Sequence, residues 1–124
     1  MRYLMLYKPG KETSAPPSDQ EMADMGRFIE EMARAGVLIA ADGLLPSSDG
    51  ARVRIAREKF TVTDGPFAET KELIAGYAIV QVRSKAEAIE LGKRFLKVVG
   101  EGESEIRQMH EAPAFPPGPQ RADR

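Results

Sequence analysis

At 124 residues with a formal net charge of −1, the chain is long enough for one domain, and its near-neutral balance lacks the basic field that a general nucleic-acid or anionic-membrane surface needs. There is no cysteine, which excludes a disulfide framework, a thiolate zinc site and a cysteine nucleophile. Hydrophobic residues at 42% and charged residues at 30% are ordinary for a soluble globular protein, and no apolar run nears the roughly 20 residues needed to span a membrane. The N-terminal stretch has no long apolar h-region of a signal peptide, so a cytoplasmic location is expected.

Residues 3–7, Tyr-Leu-Met-Leu-Tyr, read as a first strand with two apolar faces, hence a central one. Residues 8–17 carry Pro9-Gly10 and Pro16-Pro17 and read as a loop. Ser18 followed by Glu21 has capping-box spacing, and Met22, Met25, Ile29 and Met32 then recur at helical spacing. The methionines read as adaptable core rather than as metal ligands. Gly36 stands where a helix stop belongs.

Residues 37–45 read as a second strand, closed by Pro46 and a polar loop. Residues 52–56 alternate as a half-exposed strand, Arg57-Glu58 make a short turn, and residues 59–63 return. Arg52 and Arg54 share one face, as edge charges or as an anion-binding pair. Residues 74–82 form another strand with two apolar faces. Ser84 and Glu87 have capping-box spacing for a second helix with a stripe of Ala88, Ile89, Gly92, Phe95, Leu96 and Val99. Residues 104–109 form the last strand. The domain is assigned to residues 1–110, and the proline-rich residues 111–124 to an extended tail.

The order is β-α-β, a hairpin, then β-α-β. In the split βαβ arrangement both helices cover the same face of one antiparallel sheet. The first strand and the strand at residues 74–82 are apolar on both faces, so the other sheet face needs a partner. A second copy, packed sheet to sheet about a two-fold axis, is the simplest one.

The chemistry gathers at residues 64–72, Asp-Gly-Pro-Phe-Ala-Glu-Thr-Lys-Glu. Asp64-Gly65 ends a strand, and Pro66 lacks an N–H and pushes Gly65 out of helical geometry. Phe67 is expected to pin the loop to the core. Glu69, Lys71 and Glu72 mix both signs within four residues, which suits a small polar molecule better than a polymer of one charge. Either these charges bind a ligand or they brace a well-made turn. Other ionisable groups are Asp42, the single histidine His110, and Tyr3, Tyr7 and Tyr77. Tyr3 and Tyr7 share the face of Met5; they read as aromatic core with wet tips or, if that face meets the second copy, as hydroxyls that line the cavity between the sheets. Asp64, Glu69 and Glu72 offer oxygen ligands, but Lys71 competes for them and no known ligand spacing accompanies them, so neither a metal nor a cofactor is expected.

Residues 63–72, followed by Gly76-Tyr77, resemble the signature of the DGPF (DGPFAETKE) branch of the YCII-related family. The opening strand, Ala35-Gly36-Val37-Leu38 and Glu105-Ile106-Arg107 sit where that family has them. The resemblance implies a ferredoxin-like α+β fold with two helices on one face of an antiparallel sheet, dimerising into an α/β barrel. It implies no settled activity. The wider family pairs a first-helix histidine with an aspartate for proposed acid/base work; residues 18–35 contain no histidine, so that mechanism does not carry over. Relatives of this branch occur beside or fused to extracytoplasmic-function sigma factors, which implies a regulatory link.

Two functions follow. One is a homodimeric binding or regulatory protein that takes a small polar molecule at the loop and dimer cleft, with Tyr7, Asp64, Pro66, Phe67, Glu69, Lys71 and Glu72 as its contacts. The other is a lyase- or hydrolase-like enzyme with Asp64 or Glu69 as acid/base.

Overall fold

Arg2–Lys8 (β1) is the axis of the molecule, as its two apolar faces require. The computed structural model describes residues 1–12, 16–68 and 73–111. β1 lies between Gly76–Gln81 (β5) and Glu103–Gln108 (β6), antiparallel to both, and Leu38–Gly43 (β2) pairs with the outer edge of β5. The sheet order β2-β5-β1-β6 is the ferredoxin-like one. Ala51–Ala56 (β3) and Lys59–Asp64 (β4) form a separate two-stranded sheet. The proline-rich tail from residue 112 lies outside the described residues.

Asp19–Arg34 (α1) starts as its capping box dictates. The Glu21 N–H donates to Ser18 Oγ at 3.1 Å, and the Ser18 N–H donates to the Glu21 carboxylate at 3.2 Å. It stops at Gly36, whose φ of +76° is open to glycine at little steric penalty. The N–H of Gly36 reaches Ala33 O and that of Val37 reaches Met32 O, the paired bonds of a Schellman stop. Lys85–Val99 (α2) is capped by the Ser84 hydroxyl, which accepts from the Glu87 N–H. The expected reciprocal bond is redirected: the Glu87 carboxylate accepts from the Arg83 N–H.

Tyr3, Met5 and Val80 of the sheet meet Met32 of α1 and Ala88 and Leu91 of α2 in one buried cluster, with Phe28, Ala78 and Ile106 packed around it. Met5, Met32, Val80 and Leu91 each contribute about 1.5–3 kcal/mol by leaving water. Both helices therefore cover the Tyr3–Met5 face. The buried helix stripes are rotated from the sequence expectation. Met22, Ile29 and Ile89 are exposed, while Phe28 and Leu91, absent from the expected stripes, point inward. The second strand is also shorter than expected, and Leu44 and Leu45 beyond it are exposed.

By register, Leu4, Leu6 and Lys8 of β1, Tyr77 and Ile79 of β5, Ala40 and Asp42 of β2, and Glu105 and Arg107 of β6 share the opposite, helix-free face. The β3–β4 arm is exposed on both sides, where a half-exposed pair was expected. Its turn at Arg57 and Glu58 has φ of 51° and 67°, the positive values of a type I′ hairpin.

Candidate functional site

The loop that follows β4 is clamped by the turn at Ser47–Gly50, which is itself held by Glu12. The Gly65 N–H donates to Gly50 O at 3.0 Å and extends the β3–β4 pairing by one step. The Phe67 N–H donates to Ser47 Oγ at 3.0 Å. The same Ser47 hydroxyl donates to Glu12 Oε1 at 2.6 Å, and the Ser47 N–H donates to Glu12 Oε2. Ser47 opens a short 3₁₀ turn, Ser47–Asp49, after Pro46, so its backbone N–H has no helical partner and is available to a carboxylate. Residue 65 touches that turn so closely that a Cβ there would fall 1.6 Å from Ser47 O; only glycine fits. The Gly65–Pro66 peptide is cis.

Phe67 does not join the main core. It is half-buried, and the Arg52 guanidinium lies 3.9 Å from its ring centroid. This cation–π contact is worth about 0.5–2 kcal/mol depending on its desolvation. Arg52 is thereby tied to the loop, whereas the sequence expectation held it as an edge charge or half of an anion-binding pair with Arg54. Asp64 is the last residue of β4, paired with Ala51 and exposed, and Pro66 is exposed beside it. Among the described residues, the hydrogen bonds that hold the turn are accepted by Gly50 O and Ser47 Oγ, not by the Asp64 carboxylate. Glu69, Lys71 and Glu72 lie outside the described residues.

Tyr7 stands on the helix side of the sheet. Its ring meets Phe95 of α2 edge-on, with centroids 5.1 Å apart, and its hydroxyl donates to Glu101 O at 2.9 Å. Burial pushes the phenol pKa above its ordinary 10.0, helped by the Glu101 charge. Tyr3 is buried on the same side. The face shared by Tyr3, Met5 and Tyr7 is thus the helix face, and the tyrosine that stands on the open sheet face is Tyr77. His110 is exposed, and its backbone carbonyl accepts from the Arg2 guanidinium.

The open face has an apolar centre of Leu4, Leu6 and Ile79 and a charged flank. Lys8 Nζ donates to Glu105 Oε1 at 2.6 Å, diagonally across β1 and β6, and Arg107 reaches the other Glu105 oxygen at 3.2 Å. The hydrogen bond from Lys8, then that from Arg107, holds the Glu105 carboxyl below its ordinary value; the same bond raises Lys8. Tyr77 pairs with Leu6 on one side and Asp42 on the other, so a phenol and a carboxylate stand in one row across the sheet.

Sequence reasoning missed Glu12, Ser47, Lys8 and Glu105. A signal existed for Lys8: a charge that continues the alternation of Leu4 and Leu6 on an otherwise apolar strand face asks for a partner. None existed for Glu12 and Ser47, which meet from segments 35 residues apart. Two open surface depressions lie between the end of α1 and the end of β5, and on the outer side of α1. Neither is lined by the Asp64–Phe67 turn. Among the described residues, no helix is long and apolar enough to cross a membrane, and no group of three or more His, Asp or Glu side chains converges as a metal site.

The chain is similar to an uncharacterized protein, R00369, of Rhizobium meliloti (strain 1021), at 31% identity over 97 residues, covering 75% of this chain and 78% of that one. The sequence model of the YCII-related domain matches residues 1–111, from before β1 to past β6 and through the Ser47-clamped turn. On that match, which spans every strand and helix described above, the chain belongs to the YCII-related family.

Proposed function

We propose that the protein is a homodimer that binds a small polar molecule in a cleft bounded by the loop at residues 64–72 and the apposed open sheet faces of two copies. The observation that carries this reading is the three-way clamp of Glu12, Ser47 and Phe67. A turn held by a buried-edge carboxylate, a hydroxyl and a glycine contact is far stiffer than a solvated connection needs to be. Stiff loops are where side chains are held for recognition. The helix-free face, apolar at its centre and charged at its flank, supports the second wall of the cleft. Within this reading Asp64, Pro66, Phe67, Glu69, Lys71 and Glu72 are ligand contacts. Tyr7 acts from behind the sheet by fixing the end of β1.

The resemblance to the DGPF branch supports a regulatory role linked to an extracytoplasmic-function sigma factor, with the bound molecule as the signal. A lyase- or hydrolase-like activity is the second reading. The exposure of the Asp64 carboxylate at the end of β4 favours it, with Glu69 as its partner in acid/base work.

A thermal-shift screen of polar metabolites against the wild type, Glu69→Gln and Lys71→Met tests the binding site. Ligands should stabilise the wild type and lose effect on both variants. Equal stabilisation of all three removes the loop from the site. Turnover of a stabilising compound, abolished by Asp64→Asn, would move the conclusion to the second reading.

A further inference from the structure

The β3–β4 arm carries one apolar face that nothing among the described residues covers. Val53 lies opposite Val62, and Ile55 lies opposite Phe60, so the four side chains share one side of the ribbon. They are 65%, 63%, 60% and 72% exposed respectively. The opposite side pairs Arg52 with Thr63 and Arg54 with Thr61. A lone two-stranded hairpin is marginal in water and needs a further surface to pack on. A contiguous apolar patch of this kind on a soluble domain marks an interaction surface.

We infer that each copy seats this arm face on a second copy of the chain, so that the dimer is held by exchanged arms as well as by its sheets. The inference rests on the two-copy reading above. Three observations select a second copy as the occupant. The same chain presents a further apolar surface beside the open sheet face, at the exposed Ile39 of the edge strand β2 and at Leu44 and Leu45 just beyond its end. The arms are also long enough: six-residue strands reach about 20 Å beyond the base, the length of a neighbouring strand. The area is sufficient as well. Four large apolar side chains, mostly exposed, offer roughly 400–500 Å² per arm. Reciprocal exchange doubles that, and the surfaces covered bring the total to the roughly 1,200–2,000 Å² of a stable interface. Two-fold exchange closes on itself and leaves no apolar arm for a third copy.

The arm also carries the site. Arg52, on its polar side, covers Phe67, and residues 65–68 follow directly from its base at Asp64. Seating the arm therefore sets the position of the binding loop against the second copy.

The test compares the wild type with a variant carrying Ile55→Lys and Phe60→Lys and a control carrying Arg54→Gln and Thr61→Gln on the opposite side. Light scattering across a dilution series reads the dissociation constant. The wild type and the control should be dimers of equal affinity, with the lysine variant at least roughly a hundredfold weaker. A dimeric wild type with an equally tight lysine variant overturns the exchanged arm and leaves the two-copy reading standing. A monomeric wild type overturns both. Hydroxyl-radical labelling of the unmodified dimer gives the answer without any variant: Phe60 should be protected relative to the diluted monomer. Labelling of Phe60 at the rate of a free side chain would mean that the arm awaits a different protein, and would overturn the inference.

Discussion

A methyl group on Gly65 would lie 1.6 Å from the carbonyl oxygen of Ser47. The 3₁₀ turn and the loop after β4 therefore meet backbone to backbone, with no room for a side chain between them. Gly65→Ala must push the two apart, and overpacking of this kind costs about 1–3 kcal/mol or more. Denaturant titration should show the loss. An unchanged midpoint would mean that the two segments are not in contact.

Ser47→Ala removes one hydroxyl that serves two segments. The Phe67 N–H loses its acceptor and Glu12 loses a donor, for an expected loss of about 1–3 kcal/mol. Ser47→Thr keeps the hydroxyl and should recover part of it. Equal stability of the alanine variant and the wild type would show that the clamp is dispensable.

Phe67→Ala should cost less than the roughly 3–5 kcal/mol of a fully buried phenylalanine, because its ring is half-buried beneath Arg52 rather than in the main core. Arg52→Ala should lower stability as well, and the double variant should lose less than the two single losses combined. Strict additivity would contradict the stacked geometry.

The hairpin turn holds two non-glycine residues at positive φ, Arg57 and Glu58. Asn-Gly suits the same turn without that strain, so Arg57→Asn with Glu58→Gly should raise stability by about 0.5–1 kcal/mol. A lower melting temperature would mean that Arg57 or Glu58 makes a contact worth more than the strain.

The Lys8–Glu105 pair gives the stability a pH dependence. Glu105 is held below its ordinary 4.5, first by the hydrogen bond from Lys8, so its contribution is present above pH 4.5 and is lost as the pH falls through its folded pKa. Lys8 is raised above its ordinary 10.5, first by the same bond, so its contribution is complete below pH 10.5 and is lost as the pH rises towards its folded pKa. Glu105→Gln should flatten both limbs of a plot of urea midpoint against pH. Curves of identical shape would contradict the pairing.

The parts of the fold legible in the sequence are those set by local chemistry. Ser18 and Glu21 cap α1 and Gly36 ends it, because these effects act within a few residues. The two-faced apolar character of residues 3–7 placed β1 at the centre of the sheet. Which side of each strand the helices would take was not legible. Tyr3 and Tyr7 could face either layer until α2 supplied Phe95 and Leu91. The helix stripes were misjudged because Met22, Ile29 and Ile89 keep the right spacing at the margin of the buried sector. The candidate loop was visible through its glycine, proline and charges. Its clamp was not, because Glu12 and Ser47 are common surface residues whose meeting depends on the whole fold.

The account centres on a molecule of two copies, with the helix-free sheet face and the arm turned inward. Light scattering behind size exclusion at micromolar concentration tests this most directly. The account predicts a mass about twice the 13.6 kDa of the chain. A folded species at the mass of a single chain across that concentration range would contradict it.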